Sequence, residues 1–326
     1  MVPERLTRLL LQHRDRYAPV YPPQDNSDHG PMALLAMWGL GMPVDDLARF
    51  ERQYGGKLVS PEPSPATADS PHPARTSVYR DLLARFDADI ARDGWPDTVT
   101  RCLPPLLSGC AKDAFHPLIR LAYGVRFALP SEVAAGLAYL TLVGADAALE
   151  RRARTTPSRL GGADYLAHWR MYRDDAYAQG RFGTRVARVL AQVPLCPARA
   201  PDRDPWRDIS EACLQVFHAT HDFFALHMVT ASHALRVCAP YAGTQVTAIG
   251  TVALATAYLA IGAPACADVG LPQSGPAAPP LRHDSDEHDI KISFSGMEQA
   301  RAFDDARYVA VATSYRATRE GRSRAS

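Results

Sequence analysis

The chain has 326 residues, 47% of them hydrophobic, which is enough to bury a sizeable core without covalent staples. Its 36 Lys and Arg residues against 35 Asp and Glu leave a net charge of +1, so no global field gathers nucleic acid or an anionic membrane, and small molecules become the expected partners. The six cysteines, Cys102, Cys110, Cys196, Cys213, Cys238 and Cys266, form no CxxC pair, which excludes a zinc knuckle or redox dithiol and leaves most of them as small buried hydrophobes.

The amino terminus, MVPERLTRLLLQHRDRY, interrupts its apolar positions with charge and lacks the core of a secretory signal, so a cytoplasmic location is expected. Leu6, Leu9, Leu10 and His13 give the spacing of a first amphipathic helix, and Val78, Leu82, Leu83 and Phe86 repeat it in SVYRDLLARFDADIARDG. Helical patterning also covers 31–40, 43–54, 95–107, 117–127, 130–154, 163–176, 184–193, 207–238, 244–262 and 286–312. No run of alternating polarity separates these segments, so the expected class is all-α, mainly helical with few or no strands, as a single large helical domain over 1–315.

Proline, serine and aspartate break the pattern at 60–75 and 271–286, which read as surface loops, and the basic residues 316–326 read as a disordered tail. The charge-free stretch from Val237 to Ala267 is long enough to span a bilayer, but its Ala, Gly and Thr content predicts a buried core helix instead. No phosphate-cradling glycine loop is present, and Gly39 and Gly41 sit where a helix ends, so no flavin or nucleotide site is expected. No GxSxG elbow marks a nucleophilic serine either.

The 11 histidines are the informative set, since neutral imidazole is a common transition-metal ligand. His29 lies at a helix mouth, with Asp28 and Ser27 as capping residues and Pro31 suited to the first turn. His116 repeats this arrangement before Pro117, with Arg120 and Tyr123 on the face below. In HATHDFFALHMVTASHALR the helical repeat turns His227 about 120° from His221 and His233, and the apolar neighbours of His227 mark it as the inward ligand. His288 and Lys291 share a face three residues apart, behind Asp284, Asp286 and Glu287, which could orient an imidazole. A lysine beside a metal must be neutral or carbamylated. The plain alternative is that each histidine is a hydrogen-bonded core residue and that Glu287 and Lys291 form a surface ion pair of about 0.3 kcal/mol.

The segments NSDHGPMALLAMWGLG, FHPLIRLAYGVRF, HDFFALHMVTASHALR and DEHDIK, in this order, resemble the signature segments of the questin oxidase-like family. The resemblance implies a helical fold, oxidative opening of an anthraquinone ring in aromatic polyketide pathways, and a non-heme Fe(2+) site of histidines plus a modified lysine. Its ligands fall on His29, His116, His227, His288 and Lys291, with Lys291 as the carbamylation candidate.

The expected activity is an O2-dependent mono- or dioxygenase that cleaves a carbon–carbon bond, or inserts oxygen in a Baeyer–Villiger-like manner, in an aromatic polyketide or quinone. Tyr123 or His221 would serve as acid or base. The expected partners are the aromatic substrate, O2 and an external reductant or reductase, with no nucleic acid or membrane, and the chain acting as monomer or homodimer. Two other readings stay open. The dipeptides His221-Asp222 and His283-Asp284 suit an all-helical two-metal hydrolase, and a non-catalytic protein enclosing a hydrophobic ligand would also use buried histidines.

Overall fold

In the computed structural model the described residues are 2–21, 26–58, 72–159, 165–199, 204–266, 269–276 and 280–323. The helices among them are, in chain order, α1 (Glu4–Arg16), α2 (Gly30–Gly39), α3 (Val44–Leu58), α4 (His72–Asp93), α5 (Trp95–Leu106), α6 (His116–Arg126), α7 (Pro130–Val143), α8 (Ala147–Ala153), α9 (Tyr165–Arg170), α10 (Phe182–Gln192), α11 (Pro205–Thr220), α12 (Phe223–Cys238), α13 (Val246–Ala260), α14 (Glu287–Phe303) and α15 (Arg307–Ser323). The described strands are two residues long: Val20–Tyr21 pairs antiparallel with Asn26–Ser27, and Ser158–Arg159 pairs parallel with Ala198–Arg199. The fold class is therefore the all-α one expected, a single helical domain.

Helices α2, α6, α7, α12 and α13 are apolar on nearly every face and buried along most of their length, as core helices of a large domain must be. α6 and α7 meet backbone to backbone: a Cβ at Gly136 would come 2.4 Å from Leu121 Cα, and one at Gly124 2.5 Å from the Val133 nitrogen. Glycine is thus required at both crossings, and the contact fixes the axis that carries His116.

Three long apolar patterns are each two helices. The 130–154 pattern breaks at Gly144, where φ is 71° and the halves turn by 100°. The 207–238 pattern breaks at His221, a left-handed residue whose N–H closes α11 on the Phe217 carbonyl, and Asp222 then caps α12 through the Phe224 and Ala225 amides. The 286–312 pattern breaks at Asp304, also left-handed. A left-handed C-cap costs one residue and lets the buried stripe resume on the next helix, so periodicity runs straight through it. The 163–176 segment is reduced to α9 and a short 3-10 turn at Asp175–Ala178. In α4 the buried face is Tyr79, Leu83, Phe86 and Ile90, while Val78 faces solvent.

The charge-free stretch after Val237 contains α13, whose side chains are buried inside this protein, and among the described residues no single helix is long and apolar enough to cross a membrane. Residues 316–323, expected as a disordered tail, continue α15, because Arg316 is buried and Arg319 pairs with Asp289 at 2.8 Å and Asp286 at 3.3 Å. Most of the 60–75 segment lies outside the described residues, and its end, from His72, is already helical. The described part of 271–286 has no helix or strand. All six cysteines are free thiols, four of them buried.

Candidate metal centre

The site is assembled at four helix starts or first turns. At the mouth of α2, Asp28 accepts the Gly30 N–H at 2.9 Å, while Ser27 bonds the Tyr139 hydroxyl at 2.9 Å and does no capping. The His29 N–H donates to the Tyr54 hydroxyl at 2.7 Å. The second Asp28 oxygen meets His13 Nε2 at 2.9 Å, and His13 Nδ1 lies 3.3 Å from Glu51. Burial of His13 opposes its charge, but the Asp28 charge and the hydrogen bonds to Asp28 and Glu51 outweigh this and push its pKa up to about 9; Asp28 is lowered by the same partnership.

A folded pKa above the unfolded 6.5 means that the pair's contribution is complete below about pH 6.5 and is lost as pH rises through about 9. His13→Gln is therefore expected to be less stable than the wild type at pH 6, with the gap closing by about 3 kcal/mol by pH 9, as measured by urea unfolding across that window. A gap independent of pH would refute the ion pair.

Before α6 the chain takes three successive left-handed residues, Asp113 (φ 46°), Ala114 (φ 51°) and Phe115 (φ 67°), none of them glycine. Each costs on the order of 1 kcal/mol. The kink turns the Asp113 carbonyl onto His116, whose Nδ1–H donates to it. In α12, His227 Nδ1–H donates to the Phe223 carbonyl one turn back, at 2.7 Å. At the start of α14, Asp286 caps the helix through the His288 amide at 2.8 Å and sets its Oδ1 3.1 Å from His288 Nδ1. Arg319 of α15 holds the same carboxylate from outside.

With Nδ1 committed to a backbone carbonyl in both His116 and His227, each presents an Nε2 lone pair to the other, 3.1 Å away. His29 Nε2 comes within 2.6 Å of the same His116 nitrogen. One nitrogen each of His29, His227 and His288 lie within 4.8 Å of one another, and His288 is also grouped in this way with Asp286 and Glu287.

Lys291, one turn after His288, is fully buried, and its Nζ has no hydrogen-bond partner among the described residues. Burial pulls its pKa down to about 7 against the pull of Glu287 and Asp286. Burial first, and then repulsion from Lys291 and from neighbouring imidazoles, depresses His29, His116 and His227 far below the ordinary histidine value. The imidazoles are therefore neutral. Lone pairs converging in a dry space repel unless a cation lies between them, and histidines tied through Nδ1 to an acceptor are the usual supports of such a cation. The orphaned His288 Nε2 and Lys291 Nζ fit the same requirement.

The structure thus brings together His29, His116, His227, His288 and Lys291 from four helices. It does not place Tyr123 or His221 with them. Tyr123, two turns below His116, is buried against Phe294, with ring centroids 5.2 Å apart. His221 occupies the left-handed cap of α11, where its ring packs on Phe217 and Tyr315. Neither lines the cavity at the cluster. Lys291 is no surface ion pair either, since Glu287 faces Lys57 at 3.7 Å while Lys291 is sealed from solvent. Neither His-Asp dipeptide falls in a metal-competent group among the described residues: Asp222 caps α12, and Asp284 pairs at the surface with Arg282 at 3.2 Å.

His29 and His116 form part of the lining of a cavity of about 780 Å3, within the ordinary size for a small-molecule site. Its aromatic side is Phe182 stacked on Phe224, 3.9 Å between centroids and 7° between planes, with Phe223 edge-on to Phe224. Phe223 is 50% exposed and lies 4.6 Å from the His227 ring and 4.8 Å from that of His288. Ser27 and Asp113 supply a polar side: Tyr139 O–H donates to Asp113 at 3.0 Å and accepts from Ser27. Sequence reasoning missed Asp113 and Phe182, because a left-handed kink without glycine leaves no compositional mark and α10 read only as an amphipathic helix.

The family model described as Questin oxidase-like matches residues 26–291, well over half of the chain, and all five clustered residues fall inside the match. No curated protein gives a significant match.

Proposed function

The chain belongs to the Questin oxidase-like family, and on that premise we propose that it is a non-heme iron oxygenase acting on an aromatic polyketide or quinone at the histidine cluster. The observation that carries the reading is the facing pair of Nε2 lone pairs on His116 and His227, with His29 on the same nitrogen and Lys291 buried alongside. His29, His116, His227 and His288 would hold the metal, and Lys291, neutral or as its carbamate, would complete the set. When bound, ferrous iron supplies the activation of dioxygen that closed-shell organic substrates cannot achieve alone.

The protein's own residues do the rest. The Phe182, Phe224 and Phe223 surfaces hold a planar ring by stacking and exclude water from the side of the cavity that reaches His29 and His116. Asp113, at the wall and hydrogen-bonded to Tyr139, is placed to take the proton of a substrate phenol, which turns the ring into the electron-rich phenolate that oxidation requires. Before the transfer, Tyr139 orients the Asp113 carboxylate by donating to it, and Ser27 fixes that hydroxyl by donating to Tyr139 in turn.

Asp113→Asn keeps the left-handed backbone, the carbonyl on His116 and the side-chain volume, so it is expected to lower kcat by about 100-fold at unchanged metal content. Turnover at the wild-type rate would remove Asp113 from the chemistry. The reading as a whole is tested by metal analysis of anaerobically purified protein, followed by oxygen-uptake assays with polycyclic hydroquinones and a reductant. Stoichiometric iron with substrate-dependent uptake is the expected result; protein free of metal, or with paired zinc, overturns it.

A further inference from the structure

The charge on the cavity wall is unbalanced. Arg181 and Arg185, from the turn into α10, line the same cavity as His29 and His116, and Asp113 is the carboxylate residue among the described lining. Asp113 is already engaged by Tyr139 and lies 3.9 Å from Arg75. Arg185 is pinned by donating to the Gly180 carbonyl at 2.6 Å and the Ala260 carbonyl at 3.4 Å, contacts that fix the guanidinium without neutralising it. Arg181, exposed at the helix N-cap, has no ion pair or side-chain hydrogen bond among the described residues. Arg52, Arg80 and Arg151 are likewise exposed and without an ion pair among the described residues, so what sets Arg181 apart is its place on the cavity wall beside Arg185 and Phe182.

The imidazoles on this wall, His29 and His116, carry no negative charge in either protonation state, so they do not offset two guanidinium groups. Phe182 lies between the two arginines in sequence and is itself half of the aromatic stack, so cation and ring surface are presented by one rigid turn. A carboxylate fits a guanidinium bidentately, and one attached to a planar ring would meet both features at once.

We infer that the substrate is a planar aromatic bearing a carboxylate, which Arg181 and Arg185 receive while the ring lies on the Phe182 and Phe224 surface; this rests on reading the cavity as the substrate site. Arg181 and Arg185 are then specificity residues that act in binding. The ring system is held by stacking and oriented by its charged end, so an uncharged analogue enters without a fixed register.

The test is anaerobic isothermal titration of the purified protein with anthraquinone-2-carboxylate and with its methyl ester. The wild type is expected to bind the acid about tenfold more tightly, a preference that shrinks as salt is raised. Arg181→Gln, at an exposed position where folding is not at stake, should erase the preference by weakening the acid and leave the ester's Kd unchanged; Arg181→Lys should recover part of it. Equal affinities in the wild type, or a preference that survives both Arg181→Gln and Arg185→Gln, overturn the inference. Failure of both ligands to bind protein that retains iron overturns it while leaving the metal reading intact; a preference seen in protein that takes up no metal upholds it and overturns the metal reading.

Discussion

Anaerobic addition of ferrous iron at a thousandfold excess over its Kd is expected to raise the unfolding free energy of the metal-free protein by about 4 kcal/mol, and His227→Ala is expected to abolish the gain. His227 is fully buried, its Nδ1 is spent on the Phe223 carbonyl, and its Nε2 faces His116 at 3.1 Å, so the side chain has one free lone pair and one direction in which to use it. Its removal takes away a proposed ligand and also a nitrogen that, without metal, faces another lone pair. The variant is expected to fold, to bind less than a tenth of an equivalent of iron, and to unfold at the same temperature with and without the ion. Scanning calorimetry of the two proteins reads this, and equal stabilisation by iron would place the metal elsewhere.

Lys291→Met is expected to stabilise the metal-free protein by about 1–4 kcal/mol while lowering its iron content and activity. Lys291 is wholly buried among imidazoles, and its Nζ finds no acceptor among the described residues, so an amine stays in the core at a cost that a thioether of similar length does not incur. Groups kept at the expense of stability mark function. Lys291→Glu, which places a carboxylate where a carbamate would lie, should retain more iron than Lys291→Met, and the order of the two in metal analysis decides whether an anionic oxygen is needed there. A Lys291→Met protein less stable than the wild type would show the lysine to be structural.

The helical class, and the residues that meet at the cluster, were legible because they rest on local signals. Proline after His116 and Gly30-Pro31 after His29 set both histidines at helix mouths, and the helical repeat singled out the inward direction of His227 on α12. The left-handed breaks at His221 and Asp304 were not legible, because the apolar stripe resumes beyond each. Tyr123 misled for the opposite reason: it shares a face with His116, but the helix rise of 1.5 Å per residue carries it two turns away, into the packing of Phe294. Asp113 could not be found from spacing, since the conformation that brings it to the wall is imposed by tertiary contacts on a sequence with no turn residue except the aspartate itself. The tail was misread because Arg319 looks solvated until its partners, Asp286 and Asp289, are known from 30 residues away.

The pairing of His29 with His116 spans 87 residues and that of His116 with His227 spans 111, while the carboxylate beside His288 is clasped by an arginine near the carboxyl end. Such separations make the cluster strongly non-local, and loop closure must be completed before contacts of this kind form. During synthesis a chain still short of α14 offers three imidazoles and no lysine, and one short of α15 leaves the Asp286 carboxylate unclasped. On the proposed reading, uptake of iron would follow the synthesis of α14 and α15: chains stalled before residue 288 are expected to hold none, and iron supplied to cells after translation has been arrested should still be incorporated.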